Sequence, residues 1–90
     1  MEWRVEGFLW LDWVVEKIVE KHGVEPQEVE EAFFNPPYKV RRAQSGKYLL
    51  FSRTEEGRYL LIVFAWEGRQ IKPITARDMT DRERRFFERK

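Results

Sequence analysis

The sequence predicts an α+β domain with two N-terminal helices, a four-stranded antiparallel sheet and a C-terminal helix. Apolar residues recur at helical spacing up to about residue 34, and from Tyr38 onward they alternate at the period of a β-strand. Short turns that contain glycine separate the alternating segments, so consecutive strands should pair in antiparallel fashion. We therefore expect helices packed on one face of a twisted sheet.

Two helices are predicted ahead of the sheet. Asp12 can cap the first helix, because its side chain can accept a hydrogen bond from the helix N-terminus. Gly23 suits the left-handed conformation that ends a helix. Pro26 fits the first position of the second helix, which should stop at the run 35–37. A very short turn joins the two helices, which predicts a helical hairpin.

Four strands are predicted over residues 38–43, 47–54, 58–66 and 69–76. The third is apolar on both faces, so it should be the central strand and be covered, at least in part, on both sides. Pro73 cannot donate a ladder hydrogen bond and belongs at an edge or a bulge. Thr80 and Glu83 match a capping box that opens the last helix.

Length and composition limit the classes of protein that this chain can belong to. Ninety residues support one domain, which we expect to span residues 1–90. The absence of cysteine excludes a disulfide-stapled scaffold and thiolate metal sites. No apolar run approaches the length of a membrane span, and the acidic N-terminus lacks a signal-peptide pattern. These features predict a cytoplasmic protein that needs no membrane, metal or cofactor.

Charge is distributed unevenly along the chain. Residues 1–34 carry nine acidic and three basic side chains, whereas residues 35–90 carry seven acidic and fourteen basic ones. The basic part is where a polyanion such as RNA would bind. Two alternatives remain: the opposite charges pair across the fold, or they pair head to tail between copies in a homo-oligomer.

The segment 74–84 is the strongest candidate for an anion site. Arg77 lies near the end of a predicted strand, and Arg84 lies one turn into the helix capped by Thr80. The two guanidinium groups can therefore converge near a helix N-terminus, where exposed N–H groups favour a phosphate. In the alternative interpretation, Arg77 pairs with a nearby carboxylate and Glu83 only completes the cap.

Further cations lie on the predicted strands. Lys47 and Arg53 share one face of their strand with apolar side chains, and Arg41 and Arg42 lie on the strand before it. Cations next to aromatic surface are typical of sites that bind single-stranded RNA. Trp66 can supply a stacking platform for a base, although packing against the core is the more common role of such a tryptophan.

Histidine chemistry is not expected here. His22 is the only histidine, and its place at a helix end indicates a capping role rather than a catalytic base. Arg58 follows a turn glycine and is interpreted as a solvated charge. Any catalysis must then come from positioning and from charge stabilisation by arginine.

Five motifs together resemble the BrnT-like family of type II toxin–antitoxin ribonuclease toxins. In order along the chain they are Phe8–Trp10, Lys21–Val24, Glu28–Glu31, Arg53–Arg58 and Ile74–Arg84. The resemblance implies a RelE-like fold, metal-independent cleavage of RNA, and a partner antitoxin of the ribbon-helix-helix type. It places the catalytic residues at Arg53, Arg77, Arg84 and Glu83. The implied mechanism is attack of the ribose 2′-hydroxyl on the adjacent phosphate, with arginines stabilising the phosphorane.

One departure from the family pattern leaves a second function open. Members of the family often carry an arginine at the end of the central strand, where this chain has Trp66. The alternative to a ribonuclease is therefore a non-catalytic RNA-binding or protein-binding module built on the same fold.

Overall fold

The computed structural model describes residues 4–89. Its elements follow in the order β1 (Gly7–Phe8), α1 (Asp12–His22), α2 (Pro26–Phe33), β2 (Lys39–Arg42), β3 (Tyr48–Arg53), β4 (Tyr59–Glu67), β5 (Gln70–Asp78) and α3 (Asp81–Glu88). The strands form one sheet in the order β1-β5-β4-β3-β2. β1 runs parallel to β5, and the other neighbouring strands are antiparallel. No helix described in residues 4–89 is long and apolar enough to span a membrane.

The predicted count of four strands is corrected by β1. This strand has two residues and pairs with the N-terminal end of β5 through Gly7 and Phe8. Two residues are too few for an alternating pattern, so the sequence gives no signal for this strand. The four predicted strands are confirmed to within two residues at each end.

Both N-terminal helices are confirmed, but the N-cap of α1 differs from the prediction. Leu11 occupies the N-cap of α1, and Asp12 is the first helical residue, so Asp12 adds negative charge to the first turn instead of capping it. Pro26 begins α2 as predicted, and Glu25 before it forms a capping box with Glu28. Gly23 ends α1 at φ 62°, as predicted.

The main core lies between the helical hairpin and one face of the sheet. Its buried side chains come from both helices, from the turn between them and from strands β3, β4 and β5: Val14, Ile18, Val24, Val29, Ala32, Phe33, Leu50, Leu60, Ile62, Phe64, Ile71 and Ala76. The Phe33 and Phe64 rings meet edge to face at 5.0 Å. We call this side of the sheet the hairpin face.

α3 covers the other side of the sheet, which corrects the prediction that the helices share one face. Phe51, Leu61 and Met79 form a second buried cluster there, against which Phe86 and Phe87 of α3 pack. The helix runs across the strands, from the end of β5 to Lys39 at the start of β2, whose Nζ donates to the carbonyl oxygens of two residues near the end of α3. β4 is thus covered on both sides, as its two apolar faces predicted.

Pro73 lies at a bulge, as predicted. Phe64 of β4 is opposite Pro73, while Val63 is opposite Thr75, so Ile74 is the extra residue in β5. The Ile74 carbonyl oxygen accepts a hydrogen bond of 2.8 Å from the Lys17 side chain on α1. This hydrogen bond therefore fixes the helical hairpin to β5 three residues before Arg77.

Candidate functional site

The side of the sheet that carries α3, here called the α3 face, is strongly cationic. Eight basic side chains lie on α3 or on the strand positions that face it: Lys39, Arg41, Arg53, Arg77, Arg82, Arg84, Arg85 and Arg89. α3 itself carries three acidic residues, which are Asp81, Glu83 and Glu88. An excess of cations on one face produces a potential that attracts a polyanion.

Arg77 and Glu83 form a bidentate ion pair on this face. Arg77 Nη1 and Nη2 donate to the two carboxylate oxygens of Glu83 at 2.8 and 2.9 Å. Glu83 Oε1 also accepts from the Thr80 backbone N–H at 2.9 Å, and the Thr80 hydroxyl accepts from the Glu83 N–H. Glu83 thus completes the predicted capping box and pairs with Arg77 at the same time.

The ion pair leaves one edge of the Arg77 guanidinium open. The Nη1 group makes a further bond of 3.0 Å to the Asp78 carbonyl oxygen. Within residues 4–89, the Nε–H and the second Nη2–H of Arg77 have no acceptor. These two donors lie on the same edge of the planar fork, and such an edge binds two oxygens of one phosphate. Arg77 can therefore hold Glu83 and a phosphate together.

Both members of the pair stay charged at neutral pH. The hydrogen bond from Arg77 holds the pKa of the Glu83 carboxyl below its usual range, assisted by the hydrogen bonds to Thr80. In turn, the hydrogen bond to Glu83 raises the pKa of the Arg77 guanidinium. Glu83 is consequently a carboxylate that accepts a proton only weakly.

Arg53 and Arg84 lie beside Tyr59 on the same face. The Arg84 Cζ lies 3.9 Å from the centre of the Tyr59 ring, and the Arg53 Cζ lies 5.5 Å from it. The Tyr59 hydroxyl donates to Glu88 Oε2 at 2.7 Å. Neither arginine forms an ion pair within the described part of the chain. Stacking therefore fixes both guanidinium groups and leaves their N–H donors available.

Strand register places Arg77 close to the two arginines that pack on the Tyr59 ring. Arg77 is opposite Leu61 on β4, and Tyr59 is two residues away on the same strand, a distance of about 7 Å. The structure thus brings Arg53, Arg77 and Arg84 onto one face, at the end of the sheet where α3 begins. Tyr59 was not singled out in the sequence, because its role depends on which side of β4 receives α3.

The other predicted RNA contacts are spread over the molecule. Arg41 is on the α3 face, whereas Arg42 is on the opposite face, beside Tyr48. Lys47 is exposed in the β2–β3 turn, about 20 Å from Arg53 at the other end of β3. Trp66 is half-buried on the hairpin face, and its ring meets Phe64 edge to face at 6.1 Å.

The Arg58 side chain is hydrogen-bonded to several parts of the fold, which corrects its interpretation as a solvated turn charge. Its guanidinium makes five hydrogen bonds: two to the Asp78 carboxylate, one to Glu28, and one to each of the carbonyl oxygens of His22 and Gly23. Every N–H donor of the group is used. Arg58 therefore binds the last carbonyl groups of α1, contacts the start of α2 and fixes the residue that follows Arg77, whereas Arg77 keeps donors available for a ligand.

The Arg58–Asp78 pair predicts how stability depends on pH. The hydrogen bond from Arg58 holds the pKa of the Asp78 carboxyl below its usual range. In the unfolded chain this carboxyl has its ordinary pKa of about 4, so near that pH the unfolded state binds a proton that the folded state does not. The free energy of unfolding should therefore decrease as the pH falls from about 5 to 3. Urea denaturation at a series of pH values measures this decrease.

Asp78→Asn should reduce this pH dependence, because one of the two carboxyls with a lowered pKa is gone. The matched control is Glu55→Gln, which removes an exposed carboxyl in the β3–β4 turn and should keep the wild-type slope. Equal slopes for the wild type and Asp78→Asn would contradict a role of the Arg58 pair.

Among residues 4–89, no group of three or more acidic or histidine side chains is arranged to hold a metal ion.

The fold and the site define a class of protein: a small α+β domain whose terminal helix lies across a sheet and presents an arginine-rich face. The family model for the ribonuclease toxin BrnT of the type II toxin–antitoxin system matches residues 13–83, so the chain belongs to the BrnT toxin family. The crystal structure of the Brucella abortus ribonuclease toxin BrnT is similar, with a TM-score of 0.70 and 14% sequence identity, over 83% of this chain and 97% of that one. A search of curated protein sequences gives no significant match.

The predicted family is confirmed, and the predicted RelE-like fold is corrected. The structural similarity is to BrnT, whose fold is not that of RelE. Here the sheet is mixed, because β1 adds a parallel neighbour to β5. At 14% identity the structural comparison concerns the fold, and the site residues are argued from the geometry of this chain.

Proposed function

We propose that this protein is a metal-independent endoribonuclease toxin of a toxin–antitoxin pair. The observation that carries the proposal is the common face of Arg53, Arg77 and Arg84, with Glu83 held against Arg77. The three arginines leave N–H donors available on one face of the sheet, where they can bind a phosphate diester. Membership in a family of ribonuclease toxins supports RNA as the substrate and an antitoxin as the partner.

The chemistry proposed is transesterification at one phosphate. The ribose 2′-oxygen forms a bond to phosphorus while the bond to the 5′-oxygen of the next nucleotide breaks, which leaves a 2′,3′-cyclic phosphate. Glu83, a weak proton acceptor because Arg77 stabilises its charged form, takes the 2′-hydroxyl proton, and water protonates the leaving 5′-oxygen. The hydroxide formed from that water then takes the proton from Glu83. The open edge of Arg77, with Arg53 and Arg84, stabilises the negative charge that develops on the phosphorane.

A cleavage assay tests this proposal. The purified protein is incubated with single-stranded RNA in the presence of a metal chelator, and the same RNA with 2′-O-methyl groups serves as the matched substrate. Cleavage of the first RNA alone, with cyclic phosphate ends, is the expected result. Intact RNA, or equal cleavage of the methylated RNA, would contradict the proposal, because the mechanism requires a free 2′-hydroxyl.

A non-catalytic RNA-binding module is the second candidate. The observation that favours it is the Arg77–Glu83 ion pair, which offsets the positive charge of the proposed clamp. Such a module leaves RNA intact but binds it with an affinity that falls as salt is added. A gel-shift titration at two salt concentrations, run beside the cleavage assay, separates the two functions.

The neighbouring arginines Arg41 and Arg42 test which face of the sheet binds RNA. They are consecutive on β2 and both exposed, and they point to opposite faces. Arg41→Gln should weaken RNA binding, and Arg42→Gln should weaken it less, because only Arg41 lies on the α3 face. Fluorescence anisotropy with labelled single-stranded RNA measures both. A larger loss for Arg42→Gln would place the RNA on the hairpin face.

The partner proposed for this chain is an antitoxin of the ribbon-helix-helix type, and the proposed compartment is the cytoplasm. Family membership supports both, since a type II antitoxin is a protein that neutralises its toxin by binding it. Copurification with the product of an adjacent gene tests the partner. Self-association through opposite charges remains a proposal, and size-exclusion chromatography at low and high salt tests it.

A further inference from the structure

A cleft lies on the other flank of α3 from Arg84 and Tyr59. It has a volume of about 640 Å³ and is bounded by Arg41 of β2 and by Arg82, Arg85 and Arg89 on α3, with Phe51 and Phe86 below them. We call it the arginine groove. A volume of this order holds a molecule the size of a nucleotide or two, and a nucleic-acid duplex is too wide to enter it.

The groove concentrates positive charge that the folded chain does not neutralise. Arg82, Arg85 and Arg89 recur at the spacing i, i+3, i+7, which puts them along one side of α3. No ion pair involves these side chains or Arg41 within residues 4–89. Repulsion among like charges is relieved when an anion binds between them. The arrangement is therefore complementary to a polyanion.

The floor of the groove favours phosphates over bases. Lys39 Nζ lies 4.6 Å from the centre of the Phe86 ring, and the guanidinium carbons of Arg41 and Arg89 lie 5.2 and 5.8 Å from it. Phe51 meets the same ring edge to face at 4.9 Å. Cations and a second ring thus surround Phe86, which leaves little room for a base to stack on it. The groove therefore binds a ligand through the N–H donors of its guanidinium groups.

The groove adjoins the proposed catalytic site at Glu83. Glu83 borders the groove and is also the residue that pairs with Arg77. From Arg82 to Arg89 the helix rises about 10 Å, which is longer than the spacing of successive phosphates along a strand. We propose that the arginine groove binds the phosphates of single-stranded RNA next to the phosphate held by Arg77. This inference rests on RNA being the substrate, as proposed above.

The salt dependence of RNA binding tests the groove separately from catalysis. The probe is a short single-stranded RNA with 2′-O-methyl groups, so no cleavage interferes, and the variant is Arg82→Gln/Arg85→Gln. Each phosphate contact to a single strand contributes about 0.7 to the slope of log K against log salt, so this double variant should lower the slope by about 1.4. The control Lys21→Gln/Arg69→Gln removes the same charge on other surfaces and should keep the slope.

The salt slope of the double variant decides whether the groove binds RNA phosphates. An unchanged slope in the double variant would overturn the proposal, whereas a reduced slope with intact RNA in the cleavage assay would support the groove and contradict the ribonuclease function. If the double variant does not fold, Arg82→Gln and Arg85→Gln are measured singly, with an expected decrease of about 0.7 each. Equal competition by a polyglutamate peptide, or dissociation of a dimer at high salt, would assign the groove to an acidic partner or to a second copy.

Discussion

Arg77→Ala is expected to lower the rate of RNA cleavage by about a hundred-fold to a thousand-fold, the usual effect of removing one donor that stabilises transition-state charge. The open edge of the Arg77 guanidinium, Nε–H and Nη2–H, is the feature that matches two oxygens of the phosphorane. Loss of the side chain also releases Glu83, whose carboxylate would then repel the substrate.

Arg77→Lys separates charge from geometry. Lysine keeps the positive charge but has no planar fork, so this variant should recover little of the lost rate. Thermal unfolding of both variants provides the stability control, and Arg69→Ala, which breaks the exposed pair with Glu6, provides the matched surface control. Cleavage by Arg77→Ala at the wild-type rate would remove Arg77 from the mechanism. Recovery of the full rate by lysine would show that charge alone suffices.

Phe64→Ala is expected to lower the free energy of unfolding by about 3 to 5 kcal/mol, because it leaves a cavity in the main core. Phe64 is 0% exposed and lies centrally on β4. Its ring packs against Phe33 at 5.0 Å, Tyr48 at 5.6 Å and Trp66 at 6.1 Å. The residue joins the helical hairpin to the sheet, so no small local shift can fill the space that it vacates.

The matched control for this prediction is Phe34→Ala, the same change at a side chain that is 59% exposed. Phe34 contacts Phe8 with its ring centre at 6.1 Å, and its loss should cost less than about 1 kcal/mol. Urea denaturation followed by tryptophan fluorescence or circular dichroism gives both values. Similar losses for the two variants would contradict the assignment of Phe64 to the centre of the core.

Local patterns in the sequence predicted most of the elements correctly. The alternation of apolar residues gave the four antiparallel strands, and the double-sided apolar run gave β4 as a strand covered on both faces. Pro73 correctly indicated a bulge, and Thr80 with Glu83 indicated the start of α3. These features depend on residues only a few positions apart, so their physical causes are visible in the sequence itself.

The candidate site was predictable in part. The segment 74–84 indicated both Arg77 and Glu83, and the structure shows the ion pair of Arg77 and the cap formed by Glu83 that the alternative interpretation expected. The catalytic roles of the two residues stay predictions. The helical spacing of Arg82, Arg85 and Arg89 is a further signal in the sequence, because it indicates a cationic side of α3. Only the tertiary structure shows that these arginines and Arg41 line one groove.

The sequence by itself determined which segments are helices and strands, where the charge lies, and the family to which the chain belongs. Only the tertiary structure decided that α3 covers the opposite face from the hairpin, that β1 joins the sheet, and that the Arg58 side chain is hydrogen-bonded within the fold. Arg58 contacts Asp78, which is twenty residues away in the chain, and no local pattern encodes that pairing. Such contacts depend on how separate elements pack, whereas periodicity records only what each element buries.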